Sequence, residues 1–548
     1  MDSFDIFKKL SVGAKFKKPE KIAIKPENEK SSAKQVKIKT VGDNVPPALS
    51  TFDLMKKTYS LSPVLMENLN KSGYTEPTPI QTQAIPVMLQ KRQIFACAPT
   101  GSGKTAAFLV PVIHHLNKPL NKGFRALIVS PTRELAKQTL RECTRLCEGI
   151  GLRAHTFTKI NKDKEKFNPK LAQKFDILIA TPNRLVFLLQ QEPPAVELDN
   201  IEWLIIDESD KLFETGVRGF RDQLATIYKA CGPNAKRAMF SATYTVEVAK
   251  WSKKNLDGLV AVTVGNRNTT TTTVEQDLVF VGNEEGKLIA MRDLVKKGLT
   301  PPVLIFLQSK ERAKELFSEL IYDGINVDAI HSDRTQQQRD NTVKAFREGK
   351  IWVLICTELM GRGIDFKGVN LVINYDFPSS AISYIHRIGR TGRAGRSGKA
   401  VTFFTNDDKP MLRSIATVMR DSGCPVPDYM LEMKRLHKNT RRKLEKQSID
   451  RSEIRVKPHR YQKPNTDIKD PASSKSKKES NEKNKNIKVK KNLVSIINVD
   501  QTSKVNKKRK SNSSKERKVV KKLKRHLLKQ LCIYFLNKPF NIILLRHG

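Results

Sequence analysis

Residues 93–105 read QIFACAPTGSGKT: an apolar run, a turn with glycines at 101 and 103, and directly behind it a helix-length stretch opening at AAFLV. Glycines so placed let backbone N–H groups converge on phosphate oxygens at a helix N-terminus, where the helix dipole also favours negative charge. Lys104 supplies a mobile cation for terminal phosphates and Thr105 a hydroxyl for a magnesium ion. Ala98, Pro99, Thr100, Gly101, Ser102, Gly103, Lys104 and Thr105 are therefore the expected cradle of a nucleoside triphosphate. Ala98 stands where the general phosphate-loop pattern has its first glycine, so the match is one residue short of strict. A glycine-rich turn with no ligand is the alternative, and the strand before and helix after it speak against that.

Outward from this stretch, apolar runs recur, each followed by a segment of helix length. They are RALIVS (125–130), RAHTFT (153–158), DILIAT (176–181), WLIIDE (203–208) and RAMFSA (237–242). Five threonines, 269–273, interrupt the pattern, which resumes with VLIFLQ (303–308), VDAIHS (327–332), WVLICT (352–357), LVINYD (371–376) and AVTFFT (400–405). Runs rich in Ile, Val and Leu that alternate with helices mark parallel strands buried on both faces. The expected fold is α/β, with one parallel-sheet domain over 51–268, a linker at 269–275 and a second such domain over 276–433. Ligands of such sheets sit at the carboxyl ends of the strands.

Both flanks are basic. Residues 1–50 are expected to be a disordered basic arm and residues 434–548 a disordered Lys-rich tail, with blocks such as KKRK (507–510) and KKLKR (521–525) suited to nuclear targeting or RNA tethering. The tail holds 36 basic against nine acidic residues, a surplus of 27 out of the chain's formal +44. Such an excess favours a polyanion, nucleic acid first and an anionic membrane second. Seven cysteines with no paired CxxC suggest neither a disulfide framework nor a zinc site, and fit a reducing compartment. The N-terminus lacks a signal-peptide core and no run of about 18 apolar residues occurs, so a soluble intracellular protein is expected. The apolar segment LCIYFLNKPFNIILL (531–545) is broken by Asn537, Lys538, Pro539 and Asn541 and has no assigned role.

The run WLIID ends in Asp207, Glu208, Ser209 and Asp210. Asp207 is placed to hold magnesium and Glu208 to orient or deprotonate an attacking water. In the second half HRIGRTGR (386–393) carries Arg387, Arg390 and Arg393, whose guanidinium groups can meet charge developing on a γ-phosphate. Direct RNA phosphate binding by an exposed loop is the alternative for these arginines.

In order along the chain stand GYTEPTPIQ (73–81), APTGSGKT (98–105), PTREL (131–135), TPNR (181–184), DESD (207–210), SAT (241–243), QQQR (336–339), GRGID (361–365) and HRIGRTGR. On these nine strings the chain resembles the DEAD-box RNA helicases over residues 50 to about 430. The resemblance implies two RecA-like domains in tandem and an RNA-stimulated ATPase and helicase, monomeric, using ATP and Mg2+. It implies that Gln81 reads the adenine edge and that Phe52 stacks on the base, with Tyr59 as a rival. It further implies that Asp365 contacts the ribose, Arg362 helps close the interface, and Arg390 and Arg393 act on the γ-phosphate. Ser241 and Thr243 would couple hydrolysis to strand separation. Pro131, Arg133, Thr181, Arg184, Gln336, Arg339 and Thr357 would hold the RNA sugar-phosphate backbone, contacts that carry no sequence information, while a 2′-hydroxyl contact selects RNA.

Three features depart from the family pattern: DESD replaces DEAD, TPNR replaces TPGR, and TFTKINKDKEKF (156–167) lacks the usual paired glycines. DESDKLFE, TPNR, GCPVPDYM (423–430) and GAKF (13–16) look like the nucleolar branch that assists small ribosomal subunit maturation. That likeness implies pre-ribosomal RNA and pre-ribosomal assembly proteins as partners, no membrane, and a nuclear, nucleolar location. The rival functions are an ATP-gated RNA clamp or assembly scaffold with little turnover, and a DNA translocase on the same motor.

Overall fold

The structure is a computed structural model. It describes residues 37–157, 172–214, 219–269, 273–357, 366, 368–393, 396–437, 439, 440, 444 and 449–454. The first sheet holds β1 (Ile38–Val41), β2 (Ile94–Cys97), β3 (Ala126–Val129), β4 (Ala154–Thr156), β5 (Ile177–Ala180), β6 (Trp203–Ile206), β7 (Lys236–Ser241) and β8 (Val260–Val264). Its order is β1-β8-β2-β7-β6-β3-β5-β4, parallel throughout except for β1, which runs antiparallel to β8. The second sheet holds β9 (Val274–Phe280), β10 (Val303–Leu307), β11 (Val327–Ile330), β12 (Val353–Thr357), β13 (Leu371–Asn374) and β14 (Gly398–Phe404). Its order, β11-β12-β10-β13-β14-β9, is wholly parallel. Two RecA-like α/β domains in tandem are thus observed.

The apolar runs explain the layering, because successive side chains of a strand point to opposite faces. Ile94 and Ala96 enter one core of the first sheet while Phe95 enters the other. In the second, Leu304 and Phe306 face one core and Val303, Ile305 and Leu307 its opposite. Helix starts follow local capping. Thr335 and Gln338 form a reciprocal capping box at Gln336–Arg347, and Ser309 caps Lys310–Tyr322 through the Arg312 N–H.

The domain boundaries differ from those expected. The arm does not reach residue 50 without structure: Ile38–Val41 pairs with Val264–Ala261, and Gln83 holds the Pro46 carbonyl at 2.8 Å. Four residues in a Lys-rich setting, largely exposed, carry too little apolar signal to announce an edge strand. The linker is shorter than 269–275, since β9 begins at Val274. Domain 2 also extends past residue 433. Arg451 lies between Glu284 and Asp408, at 2.6 Å from each, Ile454 is buried in the second core, and Gln308 donates to the Ile449 carbonyl at 2.7 Å. Residues 1–36, the KINKDKEKF stretch of the glycine-poor departure, and the tail from residue 455, with its apolar end, lie outside the described residues.

Candidate nucleotide site and nucleic-acid interface

Strand order sorts the motifs into two groups. β2, β7 and β6 are neighbours, so the loop at 98–105, SAT and DESD meet at one edge of the first sheet's carboxyl face. β3, β5 and β4 are neighbours at the other, bringing PTREL and TPNR together. The first group is the expected nucleotide half and the second the expected polymer half of a single surface.

In the nucleotide half, TPIQ (78–81) is a capping box. The Thr78 N–H donates to Gln81 Oε1 at 2.9 Å at the start of helix Pro79–Leu89. Thr78 Oγ1 donates to the Ser102 carbonyl at 2.7 Å, and Gln81 Nε2 to the Gly103 carbonyl at 3.0 Å. An amide carries two N–H groups and two lone pairs, so one of each is left over for a base edge, although the side chain is fully buried in this structure. Gly103 is required here: its φ is 86°, and a Cβ would fall 2.5 Å from Gln81 Nε2. Lys104 opens helix Lys104–Leu116 and donates to the Ala98 and Pro99 carbonyls at 2.8 and 2.9 Å. Burial lowers its pKa, which the Glu208 and Asp207 carboxylates oppose. Phe52 is buried in the core at the first turn of its helix, while Tyr59, two turns on, is half-buried and accepts a hydrogen bond from Gln90 at 3.4 Å.

The acidic quartet is buried. Asp207 is pushed up to about 7, first by burial and next by the neighbouring Glu208 carboxylate. Glu208 takes a left-handed conformation, φ 49°, and its Oε2 has no hydrogen-bond partner. Backbone strain at a non-glycine residue is a feature concentrated at functional sites. Asp210 Oδ2 accepts from the Thr243 hydroxyl and stands 2.6 Å from His386 Nε2, which belongs to domain 2. Ser241 Oγ donates to the Thr243 carbonyl at 2.7 Å and accepts from its N–H at 3.2 Å, folding SAT into a tight turn. Further contacts cross the cleft. Thr100 Oγ1 donates to the Gly389 carbonyl at 3.0 Å, and a Cβ on Gly101 would touch Arg393 Cγ at 3.3 Å. Arg390 is buried, its Nε donating to the His386 carbonyl at 3.0 Å. Arg387 is instead built into domain 2, donating to the Asp376 carbonyl at 2.7 Å with Phe306 beneath it. Arg362 and Asp365 lie outside the described residues.

In the polymer half, Thr132 caps helix Arg133–Leu146, leaving Arg133 exposed at its first turn beside buried Pro131. Thr181 precedes helix Pro182–Leu189, on which Arg184 Nε and Nη2 are buried with no hydrogen-bond partner, the guanidinium 5.3 Å from the Phe187 ring. Its pKa is lowered by burial and then by Arg133. The unmet donors of Arg184 beside a second cation make a candidate site for an anion. Gln336 and Arg339 of domain 2 come to the same place but grip the protein. Glu134 Oε1 accepts from Gln336 at 3.1 Å and from Arg339 at 2.7 Å, and Lys137 pairs with Asp340. A cavity of about 50 Å³ remains between Arg133, Lys137, Thr156, Phe157, Thr181 and Gln336. Thr357 is half-buried at the end of β12.

The sequence reading did not single out Glu134, Lys137, Asp340, Asp210 or Thr78. Only Thr78 left a local signal, the T-x-x-Q spacing; the others act on residues two hundred positions away or on the opposite lobe.

Comparison with known proteins agrees with this arrangement. The DEAD/DEAH box helicase model matches residues 78–251 and the helicase conserved C-terminal domain model residues 286–395. A probable ATP-dependent RNA helicase named DDX52 from Rattus norvegicus is 57% identical over 77% of this chain and 71% of its own length. The ATP-dependent RNA helicase ROK1 of Yarrowia lipolytica is 44% identical over 76% of this chain and 78% of its own. Among solved structures, S. cerevisiae Dbp5 bound to RNA and ADP BeF3 superposes with a TM-score of 0.60 at 27% identity, covering 71% of this chain and 99% of that one. The chain therefore belongs to the DEAD/DEAH box helicase family, as an ATP-dependent RNA helicase of the DEAD-box type.

Proposed function

We propose that this helicase separates short RNA duplexes locally by closing its two domains around ATP, and that it does so on pre-ribosomal RNA of the small subunit. The observation that carries the reading is the double crossing of the cleft. Asp210–His386 and Thr100–Gly389 join the lobes on the nucleotide side, and Glu134–Arg339 joins them on the polymer side. One closure therefore organises both sites at once, and opening releases both.

ATP would lie with its base towards Gln81 and Phe52 or Tyr59, of which only Tyr59 is partly exposed, and its phosphates over the Gly101–Thr105 amides and Lys104. A divalent cation fits the buried acids, because burial and the adjacent Glu208 carboxylate raise the Asp207 pKa and Glu208 Oε2 has no hydrogen-bond partner. Thr105 and Asp207 would hold magnesium, which would supply positive charge against the phosphates. Glu208 orients the attacking water and takes its proton, while Arg390 and Arg393 face the γ-phosphate from domain 2. Ser241 and Thr243, tied to Asp210, pass the change to the polymer half. There Arg133, Thr181 and Arg184, with Gln336, Arg339 and Thr357 opposite, hold one strand by its sugar-phosphate backbone.

The ribosomal assignment rests on the resemblance carried by DESDKLFE, TPNR, GCPVPDYM and GAKF. With it go a nucleolar location, a monomeric chain and pre-ribosomal assembly proteins as partners, all part of the proposal. The test is RNA-stimulated phosphate release, which Lys104→Ala and Arg390→Ala are expected to abolish and Glu208→Gln to block. Unchanged turnover in Lys104→Ala refutes the mechanism, equal stimulation by matched single-stranded DNA refutes the RNA assignment, and full cellular function of Glu208→Gln favours the clamp. Crosslinking in cells that recovers messenger RNA without ribosomal precursors refutes the subfamily reading.

A further inference from the structure

Tyr244 directly follows the SAT turn, and its backbone is bracketed by one side chain from the far end of domain 1. Asn268 Oδ1 accepts the Tyr244 N–H at 2.8 Å, and Asn268 Nδ2 donates to the Tyr244 carbonyl at 3.1 Å. An amide both accepts and donates, whereas a carboxylate accepts only. Asn268 adopts φ 57°, which asparagine tolerates better than most residues. The neighbouring Arg267 guanidinium lies 4.0 Å from the Tyr244 ring centroid, and that ring packs 5.9 Å from Phe95 on β2. Residue 268 is also where the chain leaves domain 1. Five positions on, Thr273 Oγ1 donates to the Gly392 carbonyl inside HRIGRTGR at 3.0 Å, and its own carbonyl accepts from Gly398 at 3.0 Å.

The connection between the domains is thus fastened to the residue after Thr243 at one end and to the arginine segment at the other. Five residues span at most about 18 Å, so parting the arginine segment from SAT beyond that reach must load one of the two fastenings. We propose that Asn268 is a positioning residue that latches the interdomain linker to the SAT turn, so that separation of domain 2 is transmitted through Tyr244 to Thr243 and Asp210. The inference rests on the helicase reading above and adds to it a path, the linker chain held by a hydrogen-bonded fastening at each end, by which nucleotide state and strand release are coupled, parallel to the Asp210–His386 contact.

The experiment uses the full chain and two variants. Asn268→Gly keeps the left-handed backbone and deletes both hydrogen bonds, while Asn268→Asp keeps the acceptor and sets a carboxylate oxygen against the Tyr244 carbonyl. Loss of two such bonds is expected to lower RNA-stimulated kcat and the number of strands separated per ATP by about tenfold. The ATP dissociation constant should stay at the wild-type value, the melting temperature should fall no further than the loss of two hydrogen bonds explains, and coupling in Asn268→Asp should fall at least as far as in Asn268→Gly. Wild-type coupling in Asn268→Gly, or a parallel loss of ATP affinity and melting temperature, overturns the latch while leaving the helicase reading intact. Absence of RNA-stimulated hydrolysis in the wild type overturns that reading and the latch with it.

Discussion

Gly389 offers a test of domain closure that leaves the catalytic groups in place. Its φ of −66° and ψ of 6° suit any residue, so Gly389→Ala carries no backbone penalty, and the space around the new methyl decides the outcome. That Cβ would stand 2.1 Å from Thr100 Oγ1 across the cleft and 2.9 Å from the Ile385 carbonyl within its own domain. Ordinary contact begins at 3.4 Å, so the cleft is 1.3 Å too tight and has to part by about that distance or lose the Thr100 hydrogen bond. Overpacking of this kind costs about 1–3 kcal/mol, which lowers the closed population, and with it RNA-stimulated kcat/KM, by about 5- to 150-fold. Thr100→Ala removes the clashing oxygen and leaves a carbon 3.3 Å away, so the double variant should regain part of the loss. Steady-state ATPase with saturating RNA gives the comparison, and melting of each protein controls for the Ile385 contact. Wild-type turnover in Gly389→Ala, or a double variant no better than the single one, would refute the reasoning.

Three further outcomes follow from the same geometry. Asp207 keeps a proton in the folded state up to about 7, whereas the unfolded chain releases it near 4, so its contribution to stability is present at low pH and lost as pH rises through 7. Nucleotide-free Asp207→Asn should therefore melt above wild type at pH 8 and level with it at pH 4; equal melting at pH 8 would sink the point. Glu134→Gln and Arg339→Ala should each raise the KM for RNA, and their double-mutant cycle should give a coupling of about 1 kcal/mol, because the pair is largely buried; additive effects would count against a cross-cleft bond. Arg451→Met leaves the Glu284 and Asp408 carboxylates short of a cation in a buried network and should cost about 3–5 kcal/mol in urea denaturation; a loss below about 1 kcal/mol would mean the segment 449–454 merely rests on the surface.

The central strands were legible because their apolar runs answer to one cause, burial on both faces; VLII-type stretches at β3, β5, β6 and β10 could be nothing else. The edges were not. β9, VEQDLVF, mixes acids into its exposed face, and β1 is four residues of a basic segment. VAVTV at β8 was legible and passed over, since it falls immediately before the polar stretch that drew attention as a linker. At the site, residues that hold a ligand by their own chemistry were readable in place: the glycines of the loop, Lys104, the acids after β6. Residues that act by meeting another lobe were not, because nothing near Glu134 announces Arg339, and a single useful arginine at 451 is lost among its basic neighbours. Gln81 shows the intermediate case, read for the base it would touch while its capping-box bond to Thr78 went unnoticed.

The antiparallel strand β1 has a practical consequence. A fragment begun at residue 51, where the apolar pattern first becomes clear, would strip Ile38–Val41 from β8 and leave VAVTV with its outer N–H and C=O groups unpaired. Five uncharged, β-favouring residues on an open sheet margin invite self-pairing between copies and eventual fibrillar stacking. The short leading strand thus serves as a guard rail for the whole eight-stranded sheet, and recombinant pieces of this helicase should begin no later than residue 37.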